Sequence, residues 1–401
     1  PPMRRPIYPS APLRTRVSED YGFRMMTHNV LAEIYATTGV YPYCPLWALA
    51  FNYRRRLLLA DVRRYDPDVM CLQEVQADHF EEFYYPQLQK MGYEGLYKQK
   101  TREPMGMEGK VDGCALFFKT ARFRLSEKYV IEFNDAALQM SRTEKAKNKM
   151  KPPQARAHAD GMLNKALQRL LKDNVAQVVV LEMTHTKSGA APATPTRLCV
   201  SNTHVYWDPQ YDDVKLWQTH MLIKELEKFT VSRDLPLILC GDFNSAPESA
   251  VYRMFASNSV AGYRADGLTR EDLPKDPCNI LHTRGKLSHN LALMSAHVAL
   301  SGEEPEYTNY TGHFVGCLDY AWFSADRLQV TAGLALPTTE ELRAFAGSAL
   351  PNPQYSSDHL SLVYDMMPHS VGNSGSIARG VGATAGAEGA GSGAAAMSSP
   401  P

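Results

Sequence analysis

The stretch Leu235-Pro-Leu-Ile-Leu-Cys-Gly-Asp-Phe-Asn-Ser-Ala-Pro247 constrains this chain more than any other. Leu235 to Cys240 is an apolar run long enough for a buried strand and too short for an ordinary helix. It stops at Gly241-Asp242-Phe243-Asn244, and Pro247 is expected to open a helix. A carboxylate and a carboxamide two residues apart at a strand exit leave the core on the same side. A rigid scaffold presents an acceptor and a donor to a small ligand in this way. The same residues also read as a turn in which Asp242 caps the next helix, so the rest of the chain has to decide.

The pattern of an apolar run with a polar end recurs. Phe23 to Leu31 reads as a strand carrying Asn29 toward its end. Val69 to Val75 is a second buried strand with Glu74 at its far end, where a bare carboxylate would cost several kcal/mol without a partner or a metal. Val111 to Phe118 places Asp112 at the edge of an apolar run. Val175 to Met183 and Leu198 to His204 are two more strands, the second ending in Asn202-Thr-His204. Cys317 to Phe323 carries Asp319 near its start, and Ser356-Ser-Asp-His359 announces the last strand, Leu360 to Tyr364. Between these lie helical spacings: one helix from Leu46 that is broken by Asp66-Pro-Asp68, one from His79 to Met91, and an amphipathic one from Asp212 to Phe229.

At 401 residues and 44% hydrophobic, the chain can build a large core as one α/β domain or two smaller ones. We expect a lead at 1–20 that is extended or disordered, one folded domain at 21–368, and a disordered Gly/Ala/Ser-rich tail at 369–401. Residues 257–305 are polar and irregular. Lys+Arg and Asp+Glu balance at 43 each, so nucleic-acid binding has to come from local patches. One such patch is Ser141 to Asp173, with nine basic residues against three acids and a possible amphipathic helix from Met162 to Leu171. It reads either as a solvated loop insertion or as an RNA-gripping patch. Seven cysteines without a CxxC pair point to reduced core thiols and no zinc site. The absence of an apolar leader and of a long apolar span predicts a soluble, cytoplasmic protein, with the nucleus as second choice and no membrane partner.

Collected, the strand ends carry Asn29, Glu74, His204, Asp242, Asn244, Asp319 and His359. Each is a ligand or an acid-base group, and none is a cysteine or a serine nucleophile. Oxygen ligands with one or two imidazoles suit Mg²⁺ or Mn²⁺ more than zinc. Acid, amide and imidazole together suit hydrolysis of a phosphoester by an activated water.

These residues resemble the endonuclease/exonuclease/phosphatase superfamily of deoxyribonuclease I, apurinic endonucleases and inositol phosphatases. Its marks are Asn29, Leu72-Gln-Glu74, Gly241-Asp-Phe-Asn244, the Asp319-Tyr pair and Ser357-Asp-His359, in order over residues 22–366. The resemblance implies an α/β fold with a two-sheet β-sandwich flanked by helices. Within it the chain is most similar to the catalytic poly(A) deadenylase subunits of the Ccr-Not complex. Asn29-Val-Leu with Tyr35-Ala, Tyr43-Cys-Pro-Leu-Trp-Ala-Leu, Val111-Asp-Gly-Cys-Ala, Trp207-Asp-Pro and Tyr307-Thr-Asn-Tyr-Thr carry this likeness. Departures are Gln210 for the commoner Glu, Tyr206 for the usual His, the basic insertion, and no leucine-rich repeats of the kind that precede the domain in fungal and animal members.

From chemistry and resemblance together, Glu74 with Asn29 is expected to hold one Mg²⁺, with Mn²⁺ as substitute. A second ion would sit between Asp242, Asn244 and His359. Asp242 would orient and deprotonate water, Asn244 would donate to a phosphate oxygen, Asp319 and His359 would form an acid-imidazole pair, and His204 would be a second donor. The resemblance assigns substrate contacts to Pro209, Phe314, Asn309 and Asp112, with Pro209 and Phe314 sandwiching the terminal adenine. It implies single-stranded poly(A) RNA as substrate and a Ccr-Not scaffold or second deadenylase subunit as partner. A nocturnin-like NADP(H) phosphatase, a 2′-phosphodiesterase relative, and a non-catalytic scaffold of a decay complex are the competing readings.

Overall fold

The computed structural model describes residues 3–9, 19–101, 110–193, 195–260, 287–346 and 349–369. One sheet has seven strands in the order Pro6–Ile7, Leu328–Leu334, Leu362–Pro368, Phe23–Asn29, Val69–Gln76, Asp112–Lys119, Tyr93–Gln99. A second has six, in the order Leu293–Ser295, Asp319–Ser324, Leu237–Asp242, Thr196–His204, Val175–Met183, Phe123–Glu132.

Outside a few bulges the central strands alternate, and the layers of the sandwich follow from that. Phe23, Met25, Val69 and Cys71 point inward and meet Val200, Ile238, Cys240, Ala321 and Phe323 of the facing sheet. Their neighbours Met26, Met70 and Leu72 point outward onto Leu58, Val62, Tyr84 and Leu88 of the covering helices. Val178, Cys199, Leu237, Leu239 and Trp322 do the same for the other sheet, under Trp217, Leu222, Ile223 and Leu226 of the helix Asp212–Val231. Strands buried on both faces read as continuous apolar runs, which is why the central ones are visible in the sequence.

Along each central strand the inward positions turn polar toward one end. Asn202, two residues beyond Val200, donates to the carbonyls of Leu72 and Ala115 at 3.0 and 2.9 Å and accepts from Gln73 Nε2 at 2.8 Å. Gln73 also donates to Thr27 Oγ1 at 3.1 Å. These bonds tie the two sheets together directly beneath the strand ends.

Several expectations need correction. The helix from Leu46 is two helices, Leu46–Leu49 and Phe51–Tyr65, interrupted at Ala50, whose backbone is extended. Pro247 does not open a helix: the next one is Ala250–Ala256, capped by the Ser249 hydroxyl, which accepts from Tyr252 N. The basic stretch 141–173 is not a loop. It belongs to a helical hairpin, Phe133–Asn148 and Pro153–Leu170, which buries Phe133, Ala137, Leu163, Ala166 and Leu170. Part of that apolar stripe lies before residue 141, so the charge-rich window hid it. Residues 257–305 include strands at 259–260, 287–288 and 293–295 and a helix at 296–301, while 261–286 lie outside the described residues. In the lead, Pro6–Ile7 pairs with Gly333 and Leu334; the tail beyond residue 369 lies outside the described residues. The described cysteines, Cys44, Cys71, Cys114, Cys199, Cys240 and Cys317, are all buried free thiols. Among the described residues no helix is long and apolar enough to cross a membrane.

Replacing Asn202 by Leu removes three buried hydrogen bonds and leaves two strand carbonyls and the Gln73 amide without their partner. Urea unfolding should show a loss of about 2–4 kcal/mol. A change under ~0.5 kcal/mol, the scale of an ordinary surface substitution, would mean that the bridge does not hold the sheets together.

Candidate active site

The site is the polar end of the space between the sheets. His204 lies opposite Asp242 across one parallel pair, and Asp319 lies opposite Asp242 across the antiparallel pair on the other side. Residues directly opposite share a face, and all three continue the inward series of Val200, Cys240 and Ala321. Three adjacent strands therefore deliver an imidazole and two carboxylates to one place by register alone. The facing sheet contributes Asn29, the last residue of its strand, paired with Gln73.

Glu74 arrives differently. Between Leu72 and Val75 the pairing with the Asp112–Lys119 strand slips by one residue, and Glu74 takes a left-handed backbone with φ of 58°. A non-glycine residue there is strained. The bulge turns the carboxylate toward Asn29 Nδ2 at 3.0 Å and Ala32 N at 2.9 Å. Asn244, with φ of 47°, repeats the device at the other sheet. Its N–H donates to Asp242 Oδ1 at 2.9 Å and its Nδ2 to the Val205 carbonyl at 2.9 Å.

Asn29 Nδ2 also donates to Asp242 Oδ2 at 3.0 Å, so one amide joins a carboxylate from each sheet. Its Oδ1 accepts from Leu31 N at 3.1 Å. In this arrangement Asn29 orients the carboxylates through its donors. His204 Nε2 and His359 Nε2 each stand 3.6 Å from Asp242 Oδ2, beyond hydrogen-bond reach. His359 Nδ1 is 2.7 Å from Asp319 Oδ2, which also accepts from Thr308 Oγ1 at 2.6 Å. The Thr308 hydroxyl in turn accepts from Asp319 N and Leu318 N.

Charge is crowded here. Burial, helped by Asp112 and Asp358, holds Glu74 up to about 7. Burial and the neighbouring Asp319 raise Asp242. For His359 burial opposes the charged ring, but Asp319, Asp358 and Asp242 outweigh it and keep it well above the ordinary imidazole value. His204 goes the other way, to about 4, through burial and the nearby Lys100. The surroundings thus favour the charged form of one imidazole and the neutral form of the other.

This donor set fits a hard divalent cation. Oxygens of Asp242 and Asp319 and a ring nitrogen of His359 lie within 4.8 Å of one another. Asp319 Oδ1 is buried and finds no hydrogen-bond partner. A buried carboxylate oxygen without a donor, beside the raised Asp242 carboxyl, is an environment that a bound cation would complete.

The expected substrate residues separate into two groups. Pro209 and Phe314 are exposed: Pro209 begins a short turn after the His204 strand, and Phe314, 44% exposed, sits in the turn of the Asn309–Tyr310/Val315–Gly316 hairpin. Asp112 and Asn309 are buried and face inward. Asp112 pairs with Lys100 Nζ at 2.7 Å and accepts from Tyr35 OH at 2.9 Å, which places it beneath Glu74 rather than open to a ligand. Asn309 Nδ2 donates to Asp358 Oδ2 at 3.2 Å, and Tyr41 OH donates to the same oxygen at 2.9 Å. Lys100, Thr308 and Asp358 are the supporting residues that sequence reading missed. Thr308 and Asp358 lie inside quoted motifs, whereas nothing around Lys100 marks it.

The chain matches the family model described as Endonuclease/Exonuclease/phosphatase family over residues 26–359. It is 41% identical over 373 residues to carbon catabolite repressor protein 4 homolog 1 of Arabidopsis thaliana, covering 88% of this chain and 58% of that one. It is 34% identical to the CCR4-Not complex 3′-5′-exoribonuclease subunit Ccr4 of Yarrowia lipolytica, covering 85% of this chain and 47% of the relative. The chain thus spans about half the length of these curated relatives. Among solved structures, ANGEL2, a 2′,3′-cyclic phosphatase, in complex with adenosine-2′,3′-vanadate has a TM-score of 0.66 at 26% identity, covering 91% of this chain and 98% of that one. The human nocturnin catalytic domain with bound sulfate has a TM-score of 0.59 at 26% identity, covering 91% and 97%. With the fold, the strand-end residues and the family match in agreement, the chain belongs to the endonuclease/exonuclease/phosphatase family.

Proposed function

We propose that this chain is a Mg²⁺-dependent 3′→5′ exoribonuclease that shortens poly(A) and releases 5′-AMP. The observation that carries the reading is Asp242, buried between two imidazoles at 3.6 Å and joined through Asn29 to Glu74. The substrate class is supported by relatives named as exoribonuclease subunits.

Glu74 would hold one cation, and Asp242, Asp319 and His359 a second if two are used, with Mn²⁺ able to substitute. When bound, the metal neutralises charge on the scissile phosphate and on the departing 3′ oxygen. The chain's own residues do the rest. Asp242, with its oxygens fixed by Asn29 and the Asn244 N–H, orients a water and accepts its proton, a task that suits a carboxylate raised toward neutral pH. The water oxygen bonds to phosphorus while the bond to the upstream 3′ oxygen breaks; that oxygen takes a proton from solvent, leaving a 3′-hydroxyl on the chain and a 5′-phosphate on the released nucleotide. With one cation bound, Asp319, clamped by Thr308, holds His359 by Nδ1 and favours its charged form, so Nε2–H can donate to a phosphate oxygen; holding a second cation through Nε2 would instead require the neutral ring. Neutral His204 offers a second donor. Pro209 and Phe314 are the exposed pair available to stack on the terminal base.

The second reading is a phosphatase of a 2′,3′-cyclic or NADP(H) substrate, favoured by the likeness to ANGEL2 and nocturnin over nearly the whole chain. Purified protein given A20, U20, a 2′,3′-cyclic-phosphate oligomer and NADPH with Mg²⁺ separates the two. The exoribonuclease reading requires a ladder of A20 shortened from its 3′ end. We further propose assembly with a Ccr-Not scaffold or second deadenylase subunit, in the cytoplasm or nucleus, as the names of the relatives suggest.

Glu74→Gln should abolish Mg²⁺-dependent cleavage yet stabilise the metal-free protein at pH 8. A carboxyl whose folded pKa lies above its unfolded one costs stability as pH rises, here from about 4.5 to about 7. Removing that charge should return up to ~3 kcal/mol, less the loss of one acceptor facing Asn29 Nδ2 or Ala32 N. Thermal melts at pH 5 and pH 8, with and without Mg²⁺, check this. If the variant is less stable at pH 8, or if wild type gains nothing from Mg²⁺, the metal assignment is wrong.

Phe314→Ala should weaken apparent binding of A20 by roughly 1–3 kcal/mol and narrow the gap between A20 and U20. An equal loss on both oligomers would make Phe314 a structural residue.

A further inference from the structure

The helical hairpin takes no part in the chemistry above, yet its last turn is fastened to the segment that follows the His204 strand. Arg169 makes a two-pronged ion pair with Asp213, which is fully buried, at 2.7 and 2.8 Å, and donates to the Gln210 carbonyl at 2.8 Å. Its guanidinium lies 4.0 Å from the Tyr211 ring centroid. Lys172 Nζ, just past the helix end, sits 4.7 Å from the Tyr206 ring and 4.5 Å from the Tyr211 ring. These tyrosines belong to the segment that leaves the His204 strand. Between them Trp207 is 65% exposed, with its ring centroid 6.3 Å from that of Tyr206.

Trp207 is three residues from His204, so at full extension its Cα lies within about 11 Å of the histidine's. A large exposed aromatic ring there needs a reason, since it gains nothing from the core. The hairpin also brings charge outward: Lys165, one turn from Arg169 on the same helix face, is exposed. Aromatic faces interleaved with cations, on one shoulder of a phosphodiester site, are the elements of a sequence-tolerant single-strand track. Stacking accepts any base and the cations follow the phosphates. Arg169 is spent on Asp213 and serves as the anchor, leaving Lys172, Lys165 and Trp207 as the contacting groups.

We propose that this shoulder carries the single-stranded RNA on the 5′ side of the scissile phosphate. The inference deepens the ribonuclease reading and rests on it. The hairpin then extends the substrate path beyond the terminal nucleotide, so that affinity depends on RNA length.

The test is fluorescence anisotropy of A20 and A4 oligomers in EDTA over a salt series. It compares wild type with Lys165→Glu, Lys172→Glu, Lys172→Arg and Trp207→Ala. Wild type should bind A20 more tightly than A4. Lys165→Glu, on an exposed position that does not endanger folding, and Lys172→Glu should each lower A20 affinity three- to tenfold. Each should reduce the salt slope by about 0.7, one phosphate contact on a single strand. Trp207→Ala should weaken A20 without changing the slope, and Lys172→Arg should restore it. The A20-to-A4 affinity ratio should fall in every weakened variant, which a merely structural defect would not produce. Equal losses on A20 and A4, or an unchanged A20 affinity in the glutamate variants while wild type still binds and cleaves A20, would overturn the track alone. If wild type neither binds nor shortens A20, the ribonuclease reading falls and the track with it.

Discussion

One amide holds the site together. Asn29 Nδ2 donates at 3.0 Å both to Glu74, from its own sheet, and to Asp242, from the facing one. Two buried carboxylates would otherwise repel across the gap between the sheets, and a neutral double donor is the lightest group that can hold both. Its position is not arbitrary. Asn29 is the next inward residue after Met25 and Thr27 on a strand whose register is pinned by pairing with Val69 to Gln73. The alternation that packs the hydrophobic interlayer therefore also aims the amide. A slip of one residue would turn both core and site to the wrong face.

The same logic explains why the site is electrostatically incomplete. Glu74, Asp112, Asp242, Asp319 and Asp358 gather at one end of the sandwich, against Lys100, the buried Arg54 and the His359 imidazole. Each acid has hydrogen-bond donors, but Lys100 is committed to Asp112 at 2.7 Å, and Asp319 Oδ1 has no donor at all. Such an arrangement stores unfavourable charge in the free protein, which a divalent cation held there would relieve. The supporting shell keeps the acids from relaxing away: Thr308 on Asp319, Tyr41 and Asn309 on Asp358, Tyr35 on Asp112.

Much of this is legible in the sequence. Strands buried on both faces appear as apolar runs, and their polar exits name Asn29, Glu74, His204, Asp242 and Asp319. What escaped notice has physical reasons. Tyr93–Gln99 and Phe123–Glu132 are edge strands, only partly buried, so they carry charged residues and lose the apolar signature. Lys100 follows one of them, and only the fold turns it under Glu74. The hairpin was misread because its core-facing stripe is split across a change of composition. Asp112 and Asn309 have the right chemistry for substrate, but burial turns them inward to Lys100 and Asp358, a distinction that spacing along a chain does not carry.

The central claim is that Asp242, held between the sheets and helped by a divalent cation, activates water against the 3′-terminal phosphodiester. Single-turnover cleavage of A20 in ¹⁸O-water tests it most directly, using wild type and Asp242→Asn with Mg²⁺ and wild type with EDTA. The account predicts 5′-AMP carrying one solvent oxygen on its phosphate from wild type. It also predicts a rate loss of several orders of magnitude in the variant despite intact RNA binding, and no product with EDTA. Products ending in a 2′,3′-cyclic phosphate, cleavage that survives EDTA, or an Asp242→Asn enzyme that works at near wild-type rate would contradict it.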